Sequence, residues 1–233
     1  MRLKVKLVLS VLLLMAMISP RSAFAAPADD LKSVLDRLNT AAANLHTTSA
    51  DVVFDTIDTD PLPDTDEWKG VFYYQRKTSG VGMAVHFNEH NRKPAGKAYT
   101  FIDGVFKLFE PGINQVTTLK GAAKYESYII LGFGASGKDL QAKWDIADLG
   151  PETIDGVKTE KLELVAKDPD VRKNIQKVTI WQDIDHAVSL KQVFVLSATS
   201  TYVCHYANFK FNGSLPSDAF TFKTDSNTVL RTQ

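Results

Sequence analysis

The chain has 233 residues, with 27 basic against 27 acidic side chains, 44% hydrophobic residues and one cysteine. Balanced charge without a basic run argues against a polyanion partner such as nucleic acid, and a lone cysteine excludes an intrachain disulfide. A chain of this length can bury the core of one domain without such a staple.

Arg2, Lys4 and Lys6 open the chain, residues 7–18 form an apolar run broken only by Ser10, and Pro20 precedes Ala23-Phe24-Ala25. A basic start, a short apolar stretch and a small-x-small site make a secretory signal peptide, cut after Ala25. The run is too short to span a bilayer comfortably. Cleavage removes Arg2, Lys4, Lys6 and Arg21 and no acidic residue, leaving 23 basic against 27 acidic, a mildly acidic mature chain. Export to the periplasm is the expectation. The residue directly after the cut is Ala26 and not a cysteine, so lipidation of the mature chain is not expected.

Leu31, Val34, Leu35, Leu38, Ala41, Ala42 and Leu45 fall at helical spacing, with Asp29 or Asp30 as N-cap. After this helix the period becomes two. Strands are predicted over 50–57, 69–76, 81–87, 97–102, 105–109 and 115–119, then over 144–149, 159–165, 175–181, 188–196 and 199–211. Asp103-Gly104, Asp155-Gly156 and Asn212-Gly213 supply turns. About eleven strands on short loops predict a mainly β (α+β) fold, an antiparallel meander that curls toward a barrel. Two short helices interrupt it. One covers 122–131, where Tyr128 to Leu131 also reads as a strand; the other covers 138–143, capped by Ser136. Gly132-Phe133-Gly134 between them is expected to be flexible. Cys204 lies in a strand pattern and is expected to be small, buried and apolar. Without repeat or linker, residues 26–233 are read as one domain.

Three strings imitate functional motifs. Gly132 to Lys138 follows most of a phosphate-binding loop, but Asp139 stands where Ser or Thr would ligate magnesium, and no parallel βαβ pattern surrounds it. A glycine-rich hinge accounts for it better. His86-Phe87-Asn88-Glu89-His90 spells a zinc-peptidase string, which needs both histidines one helical turn apart. Here Val81, Met83, Val85 and Phe87 alternate as a strand and His86 is expected to begin a turn; four extended residues span ~13 Å, too far to share one zinc. Residues 58–67 gather Asp58, Asp60, Asp64, Asp66 and Glu67, but the glycine a calcium loop needs is missing. They are expected to form a solvated acidic hairpin loop. No Ser–His–Asp, paired-carboxylate or Cys–His constellation assembles, so the expectation is no catalysis, no cofactor and no metal.

Large apolar side chains recur at every second position along the strands: Val52 and Phe54, Phe72 and Tyr74, Met83 and Val85, Tyr99 and Phe101. Phe106 and Leu108, Leu162 and Leu164, and Val178 and Ile180 continue the pattern. This face also reads as one that packs against the helices and fills the core, in part for most of these residues. But one long helix and two short ones cannot cover eleven strands, so some concave apolar surface is left for a ligand. Arg76 ends the row begun by Phe72 and Tyr74. It reads either as a guanidinium holding a lid through backbone carbonyls or as a snorkelling surface residue.

In this order the segments resemble the periplasmic outer-membrane lipoprotein carrier family of the LolA type. Residues 30–38 and Ser49-Ala50-Asp51 resemble its opening helix and first strand. Gly70 to Arg76 is similar to its G-x-L-W-x-x-R strand, and Asp103-Gly104, Phe106 to Pro111 and Gln115-Val116-Thr117 resemble its central segment. Ala219-Phe220-Thr221-Phe222 matches its close. The resemblance implies an incomplete, strongly curved barrel whose short-helix lid, over 122–133, brings Tyr128, Ile129, Leu131 and Phe133 to an acyl-binding cavity. Arg76 matches the family's gate position, where a buried guanidinium latches the lid. The implied activity is to accept lipoproteins from an inner-membrane ABC extractor and hand them to an outer-membrane receptor, as a monomer and without catalysis. Val52-Val53-Phe54 stands where Phe-Thr-Gln is usual, and Lys77-Thr78 replaces a common Pro. A lipid- or glycolipid-binding sensor on the same fold is the alternative.

Overall fold

The structure, a computed structural model, describes residues 30–78 and 80–233; the signal peptide expected over 1–25 lies outside them. Asp30 starts the first helix, α1 (Leu31–Asn44), by accepting from Ser33 N at 2.7 Å, which satisfies one of the unpaired amides of the first turn. Its Val34, Leu35, Leu38, Ala41 and Ala42 are buried, on the stripe that the spacing predicts.

Twelve strands follow. They are β1 (Thr47–Asp58), β2 (Asp64–Lys77), β3 (Gly80–His90), β4 (Lys93–Ile102), β5 (Val105–Glu110) and β6 (Gln115–Leu119), then β7 (Trp144–Ile154), β8 (Val157–Ala166), β9 (Lys177–Asp183), β10 (Val188–Val195), β11 (Ser200–Phe211) and β12 (Val229–Thr232). They form one sheet in the order β12-β6-β5-β4-β3-β2-β1-β11-β10-β9-β8-β7. All pairs are antiparallel except β12 with β6. The sheet does not close, since β12 and β7 are its two ends. This is the curved, incomplete barrel predicted.

Turn chemistry sets the hairpins. Asp103 and Gly104, and Asp155 and Gly156, both have positive φ, as two-residue hairpin turns matched to strand twist require. Asn91 and Arg92 do the same between β3 and β4, which corrects two expectations. His86 does not begin a turn: β3 runs on to His90. Nor are residues 58–67 one loop, because β2 already starts at Asp64 and only 59–63 lie between the strands. Asp66 joins His90, accepts from Trp68 Nε1 at 3.0 Å and accepts from Asn91 Nδ2 at 3.0 Å, so this carboxylate ties the two hairpins together.

Between β6 and β7 the chain makes a 3-10 turn (Ala122–Tyr125) and two helices, α2 (Glu126–Ile129) and α3 (Gly137–Lys143). Residues 122–131 are thus helical in their first eight positions and not a strand. Ser136 and Asp139 form a capping box at α3: Asp139 N donates to Ser136 Oγ at 3.1 Å, and Ser136 N donates to Asp139 Oδ2 at 3.0 Å. The aspartate that breaks the phosphate-loop pattern therefore closes the first turn of a helix. Beyond the predicted elements, a short helix α4 (Pro169–Arg172) precedes β9.

The interior divides in two. One cluster joins α1, α3 and β7–β9 around Leu38, Leu140, Trp144, Leu162 and Ile180. The other joins the lid turn to β1–β4, β10 and β11 around Phe72, Tyr74, Phe101, Phe133 and Tyr206. On the outer face, Phe222 of the C-terminal segment stacks on Phe109 at 5.4 Å.

Candidate functional site

Cross-strand register builds the inner face in rows. Leu162, Ile180, Gln192, Cys204 and Phe54 face one another in turn across β8, β9, β10, β11 and β1. Phe72, Val85, Tyr99 and Leu108 do so across β2–β5, and Tyr74, Met83, Phe101 and Phe106 form the row beside them. Because α1 and α3 lie over β7–β9, the rows are filled there and open elsewhere. What remains is a concave cavity of about 670 Å³, within the ~300–1,000 Å³ range of ligand pockets.

Phe54, Phe72, Met83, Val85 and Phe106 line it from the sheet, and Ile129, Leu131 and Phe133 line it from the lid. The other predicted residues lie elsewhere. Val52, Tyr74 and Phe101 are buried in the same cluster behind the wall. Tyr99 packs its ring against Phe87 and Phe106, at 6.1 and 5.8 Å, and half-buried Leu108 sits opposite it on β5. Tyr128 turns away to an edge contact with Trp144 at 5.2 Å. Leu162, Leu164, Val178 and Ile180 are fully buried under the helices, in packed core rather than cavity wall.

Sequence reasoning misses the wall on the other side: Ile175, Phe194, Leu196, Tyr202, Cys204 and Tyr206, with Asn174 and Gln192 as its polar members. The signal is present, since Gln192 alternates with Phe194, and Tyr202 with Cys204 and Tyr206, in the same period-two pattern. Among the described lining residues none carries a charge. Burial pushes the Cys204 thiol up to about 12 and the Tyr206 phenol well above its ordinary range, so the wall is neutral at physiological pH.

The roof is the turn from Leu131 to Gly134. Phe133, 1% exposed, places its ring 4.1 Å from Phe72 and 4.8 Å from Tyr206 and fills the centre of the concave face. Two glycines make this turn possible. Gly132 (φ +83°) has Gln192 Nε2 2.4 Å from where a Cβ would be, and at Gly134 (φ +65°) the Tyr74 hydroxyl oxygen would be 2.3 Å away. Both flanks hold the turn. Gln192 Nε2 donates to Leu131 O at 2.6 Å, Gln182 Nε2 to Gly132 O at 3.4 Å, and Gly134 N to Ala187 O at 2.8 Å. From the opposite side Arg76 Nη2 donates to Gly134 O at 2.7 Å and to Ala42 O at 3.1 Å, while Nε donates to Leu45 O at 3.2 Å. The gate expectation and the structure differ in detail. Two of the acceptors are carbonyls at the C-terminal end of α1, the third lies one residue beyond 122–133, and Arg76 is exposed rather than buried.

No His, Cys, Asp and Glu group among the described residues is arranged to hold a metal ion. No described helix is long and apolar enough to cross a membrane.

No family model and no curated protein matches the chain. Among solved structures, an uncharacterized conserved protein from Thermus thermophilus is similar at a TM-score of 0.55 and 10% identity, over 88% of this chain and 100% of that one. MucB is similar at 0.51 and 13%, over 86% of this chain and 65% of its own. A LolA superfamily protein from Nitrosomonas europaea reaches 0.40 at 18%, over 84% and 99%. Likeness at such identities concerns the fold alone, and the first two share it over most of this chain.

Proposed function

We propose that this chain is an exported, non-catalytic carrier that takes acyl chains of lipids or lipoproteins into the cavity under the Leu131–Gly134 roof. The observation that supports it is the cavity itself: an uncharged concave wall with an aromatic plug, Phe133, on a turn tied down by a few hydrogen bonds. Leaving an acyl chain of about 16 carbons in water costs ~12 kcal/mol at ~0.8 kcal/mol per methylene. A carrier must offset most of that and still release its load. Exchanging Phe133 and Leu131 for methylenes does both, since apolar contacts are replaced in kind in each direction.

In its finer form the proposal is that the chain moves lipoproteins between the inner and outer membranes of the periplasm, receiving them from an ABC extractor and passing them to a receptor. The test is saturable binding of a fluorescent fatty acid and of a triacylated peptide to residues 26–233, followed by transfer to acceptor vesicles. Binding and transfer are the expected results. Absence of binding where a known carrier binds the same probes sinks the reading, and binding without transfer moves it to a lipid-binding sensor.

A further inference from the structure

Gln192 is, with Gln182, a buried polar exception on the inner face, and of the two it is the one that lines the cavity. It sits in the row Ile180–Gln192–Cys204–Phe54, among apolar neighbours, and is 3% exposed. It lines the cavity and at the same time holds the roof, through the 2.6 Å bond from Nε2 to Leu131 O. Its other amide atom, Oε1, accepts from the Tyr206 hydroxyl at 3.4 Å. Tyr206 thereby orients the amide with its N–H side toward the roof. Gly132 has no room for a side chain because Gln192 stands there.

If cargo lifts the plug, Leu131 moves away from Gln192 and the bond to its carbonyl breaks. The amide N–H is then left on an apolar wall, facing cargo instead of a carbonyl, and a buried donor without an acceptor is costly. Cargo that carries its own carbonyl oxygen removes this cost; a bare hydrocarbon or an ether oxygen, a poorer acceptor in this geometry, does not.

We propose that Gln192 is the recognition point for the acyl carbonyl of the cargo. The cavity then selects fatty acyl esters and amides over alkyl chains of equal length, the cargo carbonyl taking the place of Leu131 O. This rests on the carrier reading above and adds to it the group on the acyl chain that is recognised and the residue that recognises it. The amide carries two N–H groups, and the exchange at the one that Leu131 O now holds makes Gln192 the link between occupancy and roof.

The test is competition against a bound fluorescent fatty acid by three ligands that share a headgroup: palmitoyl lysophosphatidylcholine, its palmitamide analogue and its hexadecyl ether. Wild type is expected to bind the ester and the amide about tenfold more tightly than the ether. In Gln192→Met, of similar length and without a donor, the three should converge, with ether affinity kept. Preference for only one of ester and amide would place the cargo among glycerolipids or among N-acyl compounds. Equal binding of ether and ester by wild type overturns the proposal, as does discrimination that survives in Gln192→Met. Should that variant fail to fold, the wild-type ester-to-ether ratio still decides, and Gln192→Glu gives a second comparison. Failure of wild type to bind any of the three or the probe overturns the carrier reading instead, and this inference with it.

Discussion

Arg76 is exposed as a residue, yet its guanidinium reaches three carbonyl oxygens through part-buried bonds. Each such bond contributes on the order of 1 kcal/mol, enough to bias a roof and too little to lock it. Replacing Arg76 with Leu removes the tie to Gly134 but leaves the cavity wall intact. The expected result is changed transfer of bound cargo to acceptor vesicles, by about fivefold or more, with affinity for a fluorescent fatty acid within about twofold of wild type. Unchanged transfer would show that Gln192, Gln182 and Ala187 hold the roof alone. How such residues read in sequence depends on what marks them. Arg76 is legible because it ends an aromatic strand row and its position matches a family pattern, whereas its acceptors are not, since Ala42 and Gly134 offer only backbone oxygens that no side-chain pattern reveals. Gln192 escapes notice for the opposite reason: in a period-two reading a polar residue on the inner face looks like a break in the pattern, when it is the bond to Leu131 that permits it there.

At the scale of elements, local chemistry decides what can be foreseen. α1, the Asp103-Gly104 and Asp155-Gly156 hairpins and α3 follow from caps and positive-φ residues a few positions apart and are found, whereas Asn212-Gly213 ends β11 without making a hairpin. β12 escapes a sequence reading because four residues without alternation gain their strand only by lying parallel to β6, more than a hundred positions earlier. The cavity's place along the sheet is misread for a related reason. Leu162 and Ile180 carry the same inward pattern as Phe54 and Val85, and only the path of α1 and α3 determines which rows are covered. α3 makes this testable. Its close contact with α1, where a Cβ on Gly137 would stand 2.4 Å from Leu35 O, depends on a seven-residue helix with a capping box. Ser136→Ala should cost about 1 kcal/mol of stability, read as a lower urea midpoint at unchanged slope. A neutral result would mean that packing alone sets the start of α3.

For the molecule as a whole, the interior is insulated by neutral groups that could ionise. Burial raises the pKa values of Cys204, Tyr206, Tyr74 and Tyr99 alike, with Arg76 opposing the shift at Tyr74. The thiol gives the clearest window, its value moving from 9.0 to about 12. Folded Cys204 holds its proton where the unfolded chain releases it, so its contribution is complete below pH 9 and is lost as pH rises toward 12. At about 1.4 kcal/mol per unit the loss is a few kcal/mol, a sizeable part of a typical stability of about 5–15 kcal/mol. Urea midpoints measured between pH 8 and 11 should therefore fall for the wild type and fall less steeply for Cys204→Ala. The alanine variant lacks some packing at every pH, which displaces its curve without changing its slope; the slope isolates the thiol. Parallel curves would mean that Cys204 meets water when the chain is folded, and a wall that admits water at its centre would not hold an acyl chain.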